Sequence, residues 1–336
     1  MAHNIGQMFY FGERPWHKLG TKLPRPASVL EALAAGGLDW EVDLVPVVPA
    51  GEPNSEIAHR VAVVRKDRAP GEPGRVVGVV HPGFVPLQNR QGAMMLDALL
   101  GQGQRVYHTG GYLKQGEVIW LLAKLPHDIR VRGKDVLETY LLFTNSHDGS
   151  IGIDIRLTTV RVVCQNTLSL ALSKKATGKV FLRAHNGSYG LLREEAKGFF
   201  EFATRQSKEA ETLFSRLASE PCADSGFQAF LRQLLPDPRK PASALTNPAV
   251  RRGYETRMAT VRATREQILD IHLFGMPGEE IPSAEKTWWG ALNTITGWVD
   301  HVQEIDSDRY AHILMGAGDR IKTTALELIR SNVALV

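Results

Sequence analysis

Cysteine is nearly absent from this chain, with only Cys164 and Cys222 among 336 residues. So few thiols exclude a disulfide framework and a paired CxxC metal ribbon, and they point to a reducing compartment. Long apolar runs are missing too: no stretch approaches eighteen uninterrupted apolar residues, so no membrane-spanning helix is expected. The N-terminal MAHNIGQMFYFGERPWHK lacks the basic-then-apolar order of a secretory signal, which makes the cytoplasm the expected location. Neither sign of charge dominates. Forty Lys and Arg against 36 Asp and Glu give a net charge of +4 and a pI near 9.0, a basic lean that fits nucleic-acid contact without requiring it.

Several catalytic signatures are absent as well. There is no GxxxxGK[ST] phosphate loop, GxSxG elbow or HExxH helix, and the glycines of residues 101–111 lack the spacing of a dinucleotide turn. These absences exclude phosphate-loop hydrolases, Rossmann dehydrogenases, α/β-hydrolases and zincins. No cofactor and no metal are expected. Cys164 with His185 is read as structural rather than as a nucleophile and its base. Asp300, His301, Asp308 and His312 have loosely ligand-like spacing but are read as a solvated, capped helix end, and Trp288-Trp289 is read as core.

What the chain does have is enough apolar material, 43% of residues, for one large or two ordinary domains. Its centre is the stretch 140–185. An apolar β-favouring run at 140–144 meets Asn-Ser-His-Asp-Gly-Ser at 145–150, where Asp148-Gly149 is a strong hairpin signal. Ile151, Ile153, Ile155 and Leu157 then alternate with Gly152, Asp154 and Arg156, the period of a half-buried strand. Cys164, Leu168, Ala171 and Leu172 recur at helical spacing toward Lys174-Lys175, and 180–182 returns to strand.

In chain order, residues 8–24 read as an arm or short hairpin, and 27–38 as a helix capped by Ser28 and ended by Gly36-Gly37. Paired strands are expected at 40–48 and 57–65, with another strand at 75–80. A helix over 86–100 is expected to turn Met94, Met95, Ala98 and Leu99 inward. Residues 104–113 and 117–125 form a hairpin around Lys114-Gln115-Gly116, and 130–132 and 136–144 lead into the centre. Past 185 the pattern is helical: a long amphipathic helix to 217, a shorter one at 225–235, a proline-rich linker at 236–247, then helices over 248–272, 288–302 and near the end. The helix over 248–272 carries Val250, Tyr254, Met258, Val261 and Ile268 on one side, and Arg251, Arg252, Arg257, Arg262 and Arg265 outside that stripe; this second set fits acidic partners or a duplex backbone. Hairpins with inserted helices, rather than strict alternation, predict an α+β fold with a mostly antiparallel sheet. The expected division is an α+β core over 1–220 and a helical region over 221–336.

The positive charges are the more informative residues. Lys114, Arg130, Arg132, Lys134, Arg156, Arg161, Lys174, Lys175 and Arg183 all fall at strand or helix ends of the β-rich part. Extensible cations at such spacing suit backbone phosphates, and Tyr107, Tyr112 and Trp120 are candidate faces for base stacking. Lys114, Arg130, Arg132, Arg156, Arg161, Lys174, Lys175 and Arg183 are the expected nucleic-acid contacts, with Tyr112 stacking. Asn145, His147, Asp148 and Asn166 shape the site beside them. A rival reading makes His147, Asp148 and His185 a metal or acid–base centre of an enzyme acting on nucleic acid or nucleotides. A third makes the chain an interaction protein directed at a host factor.

MAHNIGQMFYFGERPWHKLGT, FTNSHDGS, RLTTVRVVCQNTLSLAL and WWGALNTITGWVDHV together resemble the phage- and plasmid-encoded proteins that carry a domain of unknown function. The resemblance spans nearly the whole chain and implies mobile-element biology in a bacterial cytoplasm. The hairpin-plus-helix core is similar at fold level to phage single-strand annealing recombinases of the RecT and Red-beta type. That similarity implies an oligomer that binds single-stranded DNA and anneals strands without ATP, with a phage or host replication or recombination protein as a further partner.

Overall fold

The computed structural model describes residues 5–12, 19–52, 54–67, 74–100, 106–133, 135–161, 167–169, 179–183, 199–275, 286–305 and 309–333, without the side chains of 161, 167–169, 179–183, 199–201 and 310. The fold is α+β, with antiparallel sheets first and helices after. The chain divides into two compact units. The first comprises Met1–Asp128, Glu138–Thr158 and Leu170–Lys208, and the second Ile129–Leu137, Thr159–Ser169 and Glu209–Val336. The second unit thus takes strand segments as well as helices, and no single cut at residue 220 separates the two.

The first unit is built on strands β1 (Ile5–Phe11), β2 (Thr21–Leu23), β6 (Val106–Leu113), β7 (Val118–Lys124), β9 (Asp135–Ser146) and β10 (Ile153–Arg161) in the order β10-β9-β7-β6-β1-β2. β12 (Lys179–Arg183) pairs antiparallel with β10. The β6–β7 hairpin closes as expected, with Gly116 N donating to Leu113 O at 2.9 Å. β1 and β2, by contrast, pair in parallel, Phe9 opposite Thr21 and Phe11 opposite Leu23, so the arm is no hairpin. A second sheet, β3 (Val42–Pro46), β4 (Val61–Arg65) and β5 (Arg75–Val80), is antiparallel throughout.

Among the described residues two helices lie wholly in this unit. In α1 (Val29–Ala35) Ser28 Oγ accepts from Glu31 N while the Glu31 carboxylate accepts from Ser28 N, a reciprocal cap, and Gly37 follows at φ 64. α2 (Asn89–Leu100) buries Asn89, Gly92, Ala93, Leu96 and Leu100. That face is rotated from the expected one: Ala98 is exposed and Met94 is 56% exposed. The rotation follows from Gly92, which admits the ring of Phe143; a Cβ there would sit 2.3 Å from Phe143 Cζ. The expected helix from 164 is also revised where it is described, because Thr167–Ser169 is strand β11. The rest of that helix, with Cys164, lies outside the described residues.

In the second unit β8 (Ile129–Val131) pairs antiparallel with the start of β9. Helix α3 (Phe199–Leu217) accompanies this hairpin: Arg130 N donates to Glu211 Oε2 and Arg132 N to Ser215 Oγ, both at 3.2 Å. Trp289, at the start of α6 (Trp288–Gly297), donates Nε1 to buried Asp135 Oδ2 at 2.8 Å and lies 4.8 Å from the Phe214 ring. Helix α4 (Asp224–Leu234) buries Phe227, Phe230, Leu231 and Leu234. The proline-rich segment after it is mostly exposed but is held at two points. It contains a 3-10 turn at Ala242–Leu245 with Ala244 buried, and Arg265 of α5 (Pro248–Phe274) donates Nε to Leu235 O at 2.8 Å and Nη1 to Asp237 Oδ1 at 2.7 Å.

After α6 the chain widens into a π-turn, Trp298–Val302, and then forms α7 (Arg309–Met315) and α8 (Ala317–Asn332). The wider turn frees main-chain oxygens, and Arg309 takes two of them, Nη1 to Asp300 O at 2.8 Å and Nη2 to Gln303 O at 2.7 Å. Asp300 is no solvated helix end: its carboxylate is buried and paired with equally buried Lys322 at 2.7 Å. His312 Nε2 meets Gln303 Oε1 at 2.9 Å, and Asp308 lies outside the described residues. Among the described residues no group of His, Cys, Asp and Glu forms a metal set.

Two stability outcomes follow from this packing. Gly92→Ala, which in an ordinary helix gains up to about 1 kcal/mol, is expected to lose roughly 1–3 kcal/mol because the buried Phe143 ring must move. A higher urea midpoint in the variant would contradict that packing. Lys322→Met, which strands the Asp300 carboxylate, is expected to lose about 3–5 kcal/mol, with most of it regained when Asp300→Leu is added; the same urea titration reads both.

Candidate nucleic-acid interface

The FTNSHDGS segment folds as the end of β9 and the turn after it. Phe143, Asn145 and His147 alternate onto one face of the strand, and α2 with its leading loop covers that face. Asn145 Nδ2 donates to Leu87 O at 3.2 Å, and His147 Nε2 meets Asn89 Oδ1 at 2.8 Å. Asn89 Nδ2 in turn donates to Leu38 O at 3.0 Å and to Trp40 O at 3.2 Å. His147 is fully buried, and its ring lies 5.2 Å from that of Trp40. Asp148 Oδ1 accepts from Ser150 N at 2.9 Å, bonding its own turn. The side chains of Asn145, His147 and Asp148 are thus bonded to the turn, to the segment leading into α2 and to the first residue of that helix. His185 lies outside the described residues.

A layered stack continues from Trp40. The Arg65 guanidinium lies 4.2 Å over the Trp40 ring and 5.2 Å over that of Tyr112, within cation–π range. Its Nη1 donates to Gln115 O at 2.6 Å, and Nε and Nη2 form a fork on Asp67. That fork holds the Asp67 carboxyl below the usual carboxylate range. Arg65 is buried, so it braces the β6–β7 turn from inside. Tyr112 is half-buried, whereas Tyr107 and Trp120 are fully buried core residues and offer no stacking face. Sequence reading missed Arg65, because a strand-end arginine followed two residues later by aspartate looks like solvated charge.

Lys114 is exposed at the tip of that hairpin, and Arg130 and Arg132 are exposed around the β8–β9 turn of the second unit. Arg132 Nη1 also donates to Ala218 O at 3.2 Å. Arg156 must be corrected: it is buried and forks onto Asp154 through Nε at 2.8 Å and through Nη2, so it is spent on an internal carboxylate and cannot track phosphate. The side chains of Arg161 and Arg183, and the whole of Lys134, Asn166, Lys174 and Lys175, lie outside the described residues. Backbone geometry adds a pattern that no sequence signal exposed. The four non-glycine residues with positive φ among the described ones are His59 (60°), Lys114 (53°), Arg132 (48°) and Lys286 (52°), all basic and all exposed.

A second polar cluster of the first unit lines β6, β7 and β9. Lys124 and Tyr140 both bond the Glu138 carboxylate, and His108, set on a bulge of β6, lies 5.2 Å from the Tyr140 ring. Burial pushes the Glu138 carboxyl up, but the bonds and charge of Lys124 and the Tyr140 hydroxyl outweigh it and hold the group below its ordinary range. A carboxyl lowered in the folded state stabilises fully above its unfolded value, about 4.3, and loses that contribution as pH falls through the lower folded one. Urea midpoints measured from pH 6 to pH 2 are therefore expected to fall less steeply for Glu138→Gln than for the wild type. Equal slopes would show that the cluster is not coupled to folding.

A family model described as a domain of unknown function, DUF932, matches residues 76–330. The matched region begins in β5 and takes in the FTNSHDGS turn, the basic hairpin tips and every helix from α2 through α7. Neither the curated proteins nor the solved structures give a match to the chain. With about three quarters of its residues matched, this chain belongs to the DUF932 family.

Proposed function

We propose that the protein binds single-stranded DNA of a mobile element and promotes the annealing of complementary strands, acting as an oligomer and without nucleotide hydrolysis. The observation that carries this reading is the set of cationic turn tips. A left-handed backbone costs an ordinary L-residue about 1–2 kcal/mol, and such positions usually go to Gly, Asn, Asp or His. Here His59 holds one, but Lys114, Arg132 and Lys286 hold the other three. Among the described residues Lys114 and Lys286 make no side-chain hydrogen bond or ion pair, and Arg132 bonds only Ala218 O through Nη1, so positive charge stays open to a partner at these tips.

In this mechanism Lys114, Arg130 and Arg132 neutralise backbone phosphates, and half-buried Tyr112 offers its ring to a base beside the Lys114 tip. Arg161, Lys174, Lys175 and Arg183 are proposed as further phosphate contacts on the strength of their residue type and position in the sequence. Bases left facing outward then pair with an incoming strand, a passive process that agrees with the missing phosphate loop. The resemblance of the chain to phage and plasmid proteins supports the mobile-element setting, with a replication or recombination protein as a further partner in the bacterial cytoplasm.

Fluorescence anisotropy on a labelled 30-nucleotide strand tests the reading. Affinity is expected to fall steeply with salt, and the Lys114→Gln/Arg130→Gln/Arg132→Gln variant to flatten the log–log slope by about 2, near 0.7 per lost phosphate contact. Absence of single-strand binding by the wild type in low salt would overturn it.

A further inference from the structure

The positive charge of this chain is concentrated in one place. Residues 238–262 hold six cations, Arg239, Lys240, Arg251, Arg252, Arg257 and Arg262, against one acid, Glu255, a balance of +5 where the whole chain carries +4. The remaining residues therefore sum to −1. All six cations are exposed, and none of their side-chain charges takes an ion pair or hydrogen bond among the described residues. Arg265, one turn further along α5, shows the alternative, being committed to Leu235 O and Asp237. Six unpaired like charges in 25 residues repel one another unless a polyanion neutralises them.

The form of the helix selects among polyanions. α5 is 27 residues long and buries only Ile268. At about 100° per residue, Arg251 and Arg262 share one azimuth roughly 16 Å apart along the axis, while Arg252 and Arg257 stand about 140° apart around it. The cations thus flank the helix on more than one side. A helix of about 10–12 Å diameter fits the major groove of a duplex, roughly 12 Å wide, where phosphates line both walls; a lone strand or a flat acidic surface would meet one flank only. Between Arg252 and Arg257 lie exposed Ala249, Thr256 and Thr260, which leave room for close approach. Both threonine hydroxyls donate back into the helix, to Arg252 O and Thr256 O at 3.0 Å, and the Gln267 side chain accepts from Trp298 Nε1. The hydroxyl protons of Thr256 and Thr260 and the amide oxygen of Gln267 are thus already engaged.

We infer that the first half of α5, with Arg239 and Lys240, is a duplex-DNA docking surface that grips the two phosphate rows of the major groove without regard to sequence. The inference rests on the DNA-binding reading above, but it names a different element and a different form of DNA: the duplex that annealing produces.

The test compares the full-length protein with Arg251→Gln/Arg252→Gln/Arg257→Gln/Arg262→Gln on a labelled 20-base-pair duplex and on one of its strands. Arg252→Gln/Arg257→Gln serves as a milder variant should the fourfold change disturb the helix, as judged by circular dichroism. Duplex affinity at 0.1 M salt is expected to drop at least tenfold, and its log–log salt slope to flatten by about 3–4, near 0.9 per arginine, or about 2 for the double variant. Single-strand affinity is expected to stay within twofold. Unchanged duplex binding overturns the inference while leaving single-strand binding, and so the functional reading, intact. A loss confined to the single strand also overturns it, by making the strand the occupant. Wild-type protein that binds polyglutamate but neither form of DNA overturns both.

Discussion

The end of β9 is fastened to α2 by a buried imidazole. His147 cannot move without releasing Asn89, and Asn89 is what holds the main chain at Leu38 and Trp40. Trp40 in turn carries the Arg65 guanidinium, and Arg65 holds the carbonyl of Gln115 in the turn that displays Lys114. An exposed lysine at the tip of the hairpin is thereby tied, through buried groups, to a helix 58 residues upstream of the histidine. Each group in that chain is desolvated, and each has a partner that offsets the loss; removal of any one leaves the next buried and short of a bond.

The same economy of buried charge recurs in the second unit. The π-turn after α6 exposes main-chain oxygens to Arg309, and Asp300 within it is neutralised by Lys322. Two polar anchors, one per unit, fix the segments whose sequences are most distinctive, FTNSHDGS and WWGALNTITGWVDHV. The distinctive residues of both segments are largely interior ones: Asn145, His147, Asn293 and Asp300 are all buried. Their side chains hold the backbone, while the exposed cations described above lie elsewhere, at the turn tips and along α5.

Much of the fold could be read from the chain because local rules and tertiary packing agreed there. Ser28 with Glu31 announced α1, and Lys114-Gln115-Gly116 announced the β6–β7 hairpin. The failures occur where packing overrode pattern. Gly92 made room for Phe143 and turned α2, exposing Ala98, which periodicity had placed inside. β1 and β2 found a parallel register that no local signal encodes. For the candidate interface the limitation was different, since an arginine's type says nothing about its pairing. Arg156 alternates as an outward residue should, yet it is consumed by Asp154 two residues away, while Arg65, passed over in the sequence, sits at the centre of the stack. The positive φ of Lys114 and Arg132 is likewise a property of the folded turn.

The pairing of β1 bears on how the protein is made. Its antiparallel partner is β6, and Ile5 lies opposite Leu113, so β1 emerges from the ribosome about a hundred residues before that partner, with only the three-residue β2 available sooner. At 5–20 residues per second that interval is roughly 5–20 s. Throughout it, a segment containing Met8, Phe9 and Tyr10, all buried in the finished sheet, must stay clear of other nascent chains. Chaperone demand during translation is thus built into the strand order and is expected to exceed that of a sheet assembled from neighbouring hairpins alone.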